Sequence, residues 1–479
     1  MSLDTLSSNS LGRALMRCKP VSAMVDEHGG GKGQLSRSIG LFQLTMLGVG
    51  ATIGTGIFVA LTAAVPEAGP AVVASFVIAG ITAALTALCY AEIASTIPVS
   101  GSSYSYAYAT MGELVAYIVG SCLLLEYAVS ASAIAVGWGQ YLNELLLDVS
   151  GWKMPDAISQ PPGAGGYFNL PAIVLVAMCA ALLIKGARES TTINAILVVV
   201  KLGVLALFVV IAFSAFNAEN LEPFMPKGWL GVGTAAGTIF FSYIGIDAVS
   251  TAGEEVKNPR KTLPLGIIIS LLLVTAAYVL VAFSAVGAQK WTEFAGQDAG
   301  LAVILQNITG STWPAVLLCL GAIVSIFSVT LVVMYGQTRI LFAMSRDGLL
   351  PKLFQKVDPQ TMTPVTNTYI VAVFIAVLAA LIPLDVLANL TSMGTLIAFS
   401  VVSAGVIILR RTRPDLPRGY KVPFFPFVPI ASVLFCVYLI TQLPWDTYAL
   451  FAVWIAVAML IYFGYSFRNS VLAKGGSAQ

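Results

Sequence analysis

The first apolar segment of the chain reads Gly48-Val49-Gly50-Ala51-Thr52-Ile53-Gly54-Thr55-Gly56-Ile57-Phe58 across its middle. Four glycines fall within nine residues, and each weakens a helix by about 1 kcal/mol relative to alanine. We therefore expect a membrane-spanning helix that is broken midway. Close helix packing is the alternative explanation, because small residues four apart, such as Gly50 and Gly54, also let two membrane helices approach each other.

The sixth apolar segment contains a second interruption, Phe240-Phe241-Ser242-Tyr243-Ile244-Gly245-Ile246-Asp247. It places a glycine, a serine and an aspartate at membrane depth. The two interrupted segments are five spans apart, so they cross the membrane in opposite directions. Discontinuous helices at corresponding positions predict an inverted repeat, in which spans 1–5 correspond to spans 6–10.

The composition is that of a helical membrane protein. The 479 residues are 58% hydrophobic and 10% charged, with a mean hydropathy of +0.88, whereas soluble proteins carry about 25% charged residues. Apolar windows near the length that crosses a bilayer predict an all-α polytopic fold with 12 transmembrane helices. The predicted spans are 39–65, 70–97, 113–147, 168–185, 192–216, 230–254, 263–287, 312–343, 366–383, 386–409, 426–443 and 447–467.

These spans divide the chain into five parts. A flexible cytosolic tail, 1–38, precedes the first five-helix repeat, 39–216. The second, inverted repeat, 230–409, is followed by two extra transmembrane helices, 426–467, and a cytosolic tail, 468–479. Of the 25 Lys and Arg residues, 21 fall on the side of the two tails and three on the other. This asymmetry predicts that both termini are cytosolic. The expected location of the protein is the cell (inner) membrane.

No feature of the sequence indicates an enzyme. The single histidine, His28, lies in the amino-terminal tail, and the six cysteines lack the spacing of metal ligands. The sequence offers no recognisable pair of a catalytic nucleophile and a general base. We therefore expect no enzymatic activity, no metal and no cofactor, with protons as the coupling ion if the chain transports.

A broken helix suits a zwitterionic ligand. The amino terminus of a half-helix offers free N–H groups and a positive dipole end to a carboxylate, and unwound carbonyls can bind an ammonium group. In this hypothesis Thr55 and Gly56 supply N–H groups beside Gly54. The carbonyls that receive the amine are those around Thr52, Ile53, Phe241, Ser242 and Ile244.

Two carboxylates are predicted near this site. Glu126 lies 13 residues after Glu113, which is about 20 Å along the third helix, and Asp247 follows the unwound part of the sixth. Both are candidates for binding the side chain of a cationic substrate. The alternatives are a structural hydrogen bond for each carboxylate, or neutralisation of Lys201 by either of them. Glu92, near one end of span two, is interpreted as a structural or gating contact.

Lys201 is the most unusual charge in the sequence. It lies 12 residues after Glu189 in an apolar run, which is roughly 18 Å of helix and more than a lysine side chain spans by snorkelling. An intramembrane lysine usually faces a cavity or a partner. Lys201 could lose and regain a proton in each cycle, act as a fixed cation, or form a structural ion pair.

The chain resembles the amino acid–polyamine–organocation superfamily and, within it, the bacterial relatives of the cationic amino acid transporters. The resemblance covers about residues 35–467. The motifs that carry it, in order, are GATIGTGIF at 50–58, PVSGSSYSYAY at 98–108, LEY at 125–127, KGARES at 185–190, DAVS at 247–250, EEVKNP at 254–259 and RILFAMSRDGLLP at 339–351.

This resemblance implies two inverted five-helix repeats plus two helices, and alternating access around the breaks. It implies that Lys201 matches the fifth-span lysine that stands where sodium-driven relatives bind a cation, which supports proton coupling. It further implies that Glu126 and Asp247 face the substrate side chain. Thr52 and Ser242 replace a larger aliphatic residue and an alanine that are common there, which bears on side-chain selectivity.

The expected function is proton-coupled symport of cationic or broad-range L-amino acids. The alternatives are an exchanger of an amino acid for its amine or a polyamine and, more remotely, a non-transporting amino acid sensor. The expected partners are a small-molecule substrate and the lipid bilayer, and no nucleic acid. A small single-span membrane protein as partner and the oligomeric state stay open.

Overall fold

The structure, a computed structural model, describes residues 15–20, 39–54, 56–97, 102–185, 191–245, 247–251, 256–358 and 363–474. These residues are mostly helical, and extended pairing among them is limited to short bridges such as Phe168–Asn169 with Ser159 and Gln160. The α-helices, in chain order, are α1 Leu41–Thr52, α2 Leu61–Ala68, α3 Val72–Thr96, α4 Ser102–Thr110, α5 Glu113–Ser150, α6 Asp156–Ser159, α7 Leu170–Ile184, α8 Thr191–Ser214, α9 Gly228–Ile239, α10 Ala248–Thr251, α11 Pro259–Ala288, α12 Gly300–Thr309, α13 Trp313–Arg346, α14 Val365–Leu381, α15 Leu384–Thr412, α16 Phe427–Thr441, α17 Trp445–Ile461 and α18 Phe467–Asn469.

Seven helical stretches of the described chain are long and apolar enough to cross a membrane. The first of them, Leu41–Thr96, includes two predicted spans. Shorter apolar helices, α7, α14 and α16, coincide with the fourth, ninth and eleventh predicted spans. The sixth predicted span consists of two helices, α9 and α10, because its middle is not α-helical.

The long helix α5 lies at the centre of the bundle. It packs against α13, α15, α14 and α7, while α11 packs against α3, α1 and α8. Local sequence sets the ends of these helices. Gly151 ends α5 in the left-handed conformation (φ +68°), which glycine adopts at little cost, and Pro259 begins α11 where no N–H partner is required.

The chain leaves α-helical geometry at both predicted interruptions. Helix α1 ends at Thr52, Ile53 is extended (φ −75°, ψ 96°), and the chain resumes at Gly56 as a short π-helix that leads into α2. Helix α9 ends at Ile239 and passes through a 3₁₀ turn, Phe240–Tyr243, to an extended Ile244. Backbone groups are therefore released from helical hydrogen bonds at two places inside the bundle.

Part of the amino-terminal tail docks against the bundle. The Lys19 amide donates to the Tyr108 carbonyl (3.0 Å), and the Lys19 ammonium group lies 3.0 Å from an Asp347 carboxylate oxygen. The Tyr104 hydroxyl donates to the other oxygen of Asp347 (2.7 Å). Residues near the start of the chain are thus held against α4 and the end of α13.

Candidate functional site

The two helix breaks are in direct contact. A Cβ atom placed on Gly56 would lie 2.5 Å from the Ser242 Cα, closer than real Cβ contacts allow. Gly245 has φ +101°, and a Cβ there would lie 2.5 Å from the Ala51 carbonyl oxygen. Glycine is required at both positions because the backbones of the two breaks touch. Gly245 was not among the predicted site residues, although a glycine beside an ionisable residue is its signal in the sequence.

Side chains from three other helices bind the carbonyls at the end of α1. Lys201 Nζ on α8 donates to the Gly50 oxygen (3.0 Å), and Ser325 Oγ on α13 donates to the Ile53 oxygen (3.2 Å). The Tyr278 hydroxyl on α11 lies 2.9 Å from the Thr52 oxygen. The last carbonyls of a helix lack intrahelical partners, so these side chains replace the missing turn.

Tyr278 joins the two breaks. Its hydroxyl lies 2.9 Å from the Thr52 oxygen and 2.9 Å from the Ser242 oxygen. One hydroxyl hydrogen is shared between two carbonyls that the sequence predicted as ligands of an amine. Sequence reasoning missed Tyr278, although a tyrosine in an apolar helix usually needs a polar partner for its hydroxyl.

We expect Tyr278→Phe to lower the stability of the protein by about 1–3 kcal/mol, because two buried carbonyls lose their shared donor. Thermal unfolding in detergent, read by intrinsic fluorescence, measures the change. Tyr369→Phe is the matched control, since Tyr369 is 58% exposed on α14. Equal melting temperatures for the two variants would show that the Tyr278 hydroxyl does not hold the breaks together.

Lys201 is buried against the first break, with 1% of its surface exposed. Its ammonium group meets the carboxyl-terminal end of α1, where the helix dipole is negative and favours a cation. Helix α8 also contacts α1 two turns earlier, because Asn194 Nδ2 donates to the Met46 oxygen (3.3 Å). The predicted coupling residue is therefore in contact with the predicted substrate-binding break.

Glu126 is a buried carboxylate whose two oxygens accept no hydrogen bond from the described residues. The residue is 1% exposed. Gly394 on α15 packs closely against it, since a Cβ atom added to Gly394 would lie 3.5 Å from the Cβ atom of Glu126. The hydroxyl of Thr395 lies beside this carboxylate and donates to the Thr391 oxygen, 3.0 Å away. A carboxylate so placed requires a proton or a cationic partner.

Asp247, beside the second break, reaches the part of α5 that carries Glu126. Asp247 is 2% exposed, and one of its oxygens accepts a hydrogen bond from the Tyr127 hydroxyl (3.0 Å). The Ser242 hydroxyl, also buried, has no hydrogen-bond partner within the described chain. Since nearly all buried polar groups in proteins are hydrogen-bonded, Glu126 and Ser242 are candidates for contact with a polar ligand or a proton.

Most of the predicted residues come together at the two breaks. Gly54 packs near Val329 of α13, where an added Cβ would lie 3.2 Å from a methyl group. Thr55 lies outside the described residues. The remaining predicted residues that border the breaks are Thr52, Ile53, Gly56, Phe241, Ser242 and Ile244.

Known proteins resemble this chain over almost its whole length. A sequence model described as amino acid permease matches residues 39–467. The branched-chain amino acid permease BcaP of Bacillus subtilis (strain 168) is 44% identical over 463 residues, which cover 96% of this chain and 99% of that protein. The methylthioribose transporter of the same organism is 44% identical over 444 residues, covering 92% and 95%. The vacuolar cationic amino acid transporter 4 of Arabidopsis thaliana is 36% identical over 409 residues, covering 84% and 68%.

Proposed function

The chain belongs to the amino acid permease family, and from this premise we propose that it is a secondary amino acid transporter that works by alternating access. Its 12 spans form two inverted five-helix repeats and two further helices, with both termini in the cytosol and the protein in the cell membrane. The coincidence of the helices with the predicted spans supports this arrangement. The contact between the two helix breaks supports a substrate site between the repeats.

Transport is coupled to protons through Lys201. The observation that carries this proposal is the hydrogen bond from Lys201 Nζ to the Gly50 oxygen at the end of α1 (3.0 Å). If α1 moves during alternating access, the groups that stabilise the ammonium form move away from it. The lysine can then release a proton on one side of the cycle and regain it on the other.

The substrate is a cationic or broad-range L-amino acid. Its amine and carboxylate bind the two breaks, and a cationic side chain reaches Glu126 and Asp247. The unsatisfied oxygens of Glu126 support this choice, and so does the similarity to cationic amino acid transporters. A neutral branched-chain amino acid is the second candidate, favoured by the 44% identity to BcaP. In that case Glu126 must carry a proton.

Uptake into proteoliposomes tests the function and the coupling together. We expect an inward proton gradient to drive accumulation of radiolabelled arginine and ornithine, with leucine as the neutral comparison. Gradient-independent uptake of all three would exclude proton coupling. Uptake into vesicles with and without preloaded amino acid or amine distinguishes symport from the alternative, an amino acid/amine exchanger. An exchanger requires internal substrate, whereas a symporter also fills empty vesicles.

A further inference from the structure

A buried carboxylate fixes the loop 413–426, which joins α15 to α16. Glu92 of α3 is 2% exposed, and its oxygens accept hydrogen bonds from Arg410 Nε (2.7 Å) and from the Val422 amide (2.7 Å). Arg418 Nε lies 3.4 Å from the same carboxylate. The guanidinium groups of Arg410 and Arg418 thus pair with Glu92, and the loop is held against α3.

Other basic residues at this end of the bundle remain exposed. Lys421 on the loop, and Arg260 and Lys261 at the start of α11, all point to the surface. A Cβ on Gly419 would lie 2.5 Å from the Arg260 Cβ, so the loop backbone lies directly on the start of α11. The three cations therefore belong to one surface. The acidic residue of the loop 413–426, Asp415, already accepts a hydrogen bond from Arg413 (3.4 Å).

An exposed aromatic residue, Phe424, lies three residues after Lys421. Phe424 is 81% exposed and has φ +49°, a conformation that is uncommon for a bulky residue. It precedes an exposed apolar stripe on α16, whose side chains recur at helical spacing: Phe427, Ile430, Leu434 and Val437. Such a stripe on a membrane-spanning helix faces acyl chains. Phe424 and Lys421 lie just before it, where acyl chains meet headgroups.

We propose that Arg260, Lys261, Lys421 and Phe424 form a binding surface for an anionic phospholipid. The three cations bind the phosphate and the net negative charge of the headgroup, as basic residues near a membrane helix do. Phe424 contacts the upper part of the acyl chains. The charge complementarity selects an anionic lipid over a zwitterionic one, because the zwitterionic headgroup carries no net charge to offset three cations.

Lipid binding to the purified full-length protein tests this surface. Native mass spectrometry and thermal unfolding are measured in detergent with added phosphatidylglycerol or phosphatidylcholine. We expect phosphatidylglycerol to bind more tightly and to raise the melting temperature more. Its affinity should fall about fivefold in Lys421→Gln and about a hundredfold in the triple variant Arg260→Gln, Lys261→Gln, Lys421→Gln, since each cation near the surface contributes independently. High salt should weaken the wild-type preference.

The matched control replaces three lysines exposed at the other end of the bundle, Lys153, Lys227 and Lys290, with glutamine. It should retain the preference for phosphatidylglycerol. Lys421→Arg should also retain the preference for phosphatidylglycerol. Comparing it with Lys421→Gln tests the charge at this position even if the triple variant fails to fold. Glycerophosphoglycerol, which lacks acyl chains, should not raise the melting temperature. Equal effects of the two lipids on the wild type, or an equal loss in the control and the triple variant, would overturn the proposal.

Discussion

Replacing Lys201 with alanine is expected to abolish pH-driven accumulation while substrate binding and counterflow persist. A gradient of about one pH unit provides about 1.4 kcal/mol per proton, which sustains about tenfold accumulation when one proton moves with each substrate. Without the lysine, the internal and external concentrations should become equal. The measurement is the steady-state ratio of labelled substrate in proteoliposomes, with and without the gradient.

Two further substitutions separate a titrating lysine from a fixed cation. Lys201→Arg keeps a positive charge that proteins do not deprotonate, and Lys201→Met keeps a long side chain without charge. If Lys201 releases its proton, both variants lose the gradient response. If a permanent charge at the end of α1 is sufficient, Lys201→Arg retains substrate uptake, whereas Lys201→Met does not.

Lys290→Ala provides the control for the alanine substitution, because Lys290 is an exposed lysine far along the chain from the breaks. It should behave as the wild type. If Lys201→Ala kept the full pH response, the role of the lysine would be structural. The side chain would then only complete the hydrogen bonds of α1. Loss of counterflow together with accumulation would indicate that the variant no longer forms the substrate site.

The helices and the two breaks were predictable because they depend on local composition. Apolar length indicates a span, and the glycines of 48–56 with Ser242 and Gly245 indicate where a helix cannot continue. Lys201 was identified in the same way, since a charge in an apolar run is conspicuous. The similarity to amino acid permeases confirms the predicted family and the expectation of a transporter.

The partners of these groups were not predictable, because they come from distant parts of the sequence. Tyr278 lies 226 residues after Thr52, and Ser325 lies 272 residues after Ile53. Which hydroxyl meets which carbonyl depends on how α11 and α13 pack on α1, and helix periodicity does not determine that. The hydrogen bond from Tyr127 to Asp247 likewise requires α5 to face the second break.

Glu126→Gln is expected to reduce uptake of arginine by about 30-fold or more, while uptake of leucine changes by less than about threefold. A desolvated charge pair that loses one partner costs about 2–5 kcal/mol, and the amide keeps the shape of the side chain. Neither oxygen of Glu126 accepts a hydrogen bond from the described residues. The substitution therefore removes a charge without breaking a hydrogen bond seen in the structure.

The measurement is initial uptake of both amino acids by the variant in proteoliposomes, at saturating and at low concentration. Glu67→Gln is the matched control, because Glu67 is exposed and pairs with Lys227 (2.9 Å) away from the breaks. It should leave both rates unchanged. A rise in the Michaelis constant for arginine alone would locate the Glu126 carboxylate at the substrate side chain.

Two other outcomes would assign Glu126 differently. An equal loss for arginine and leucine would contradict contact with a cationic side chain and would make Glu126 a group required for coupling or folding. If the wild type takes up leucine but no arginine, and Glu126→Gln leaves leucine uptake unchanged, the substrate is the neutral amino acid suggested by the similarity to BcaP. The carboxyl group would then carry a proton, because a buried carboxylate without a cationic partner is costly to keep ionised.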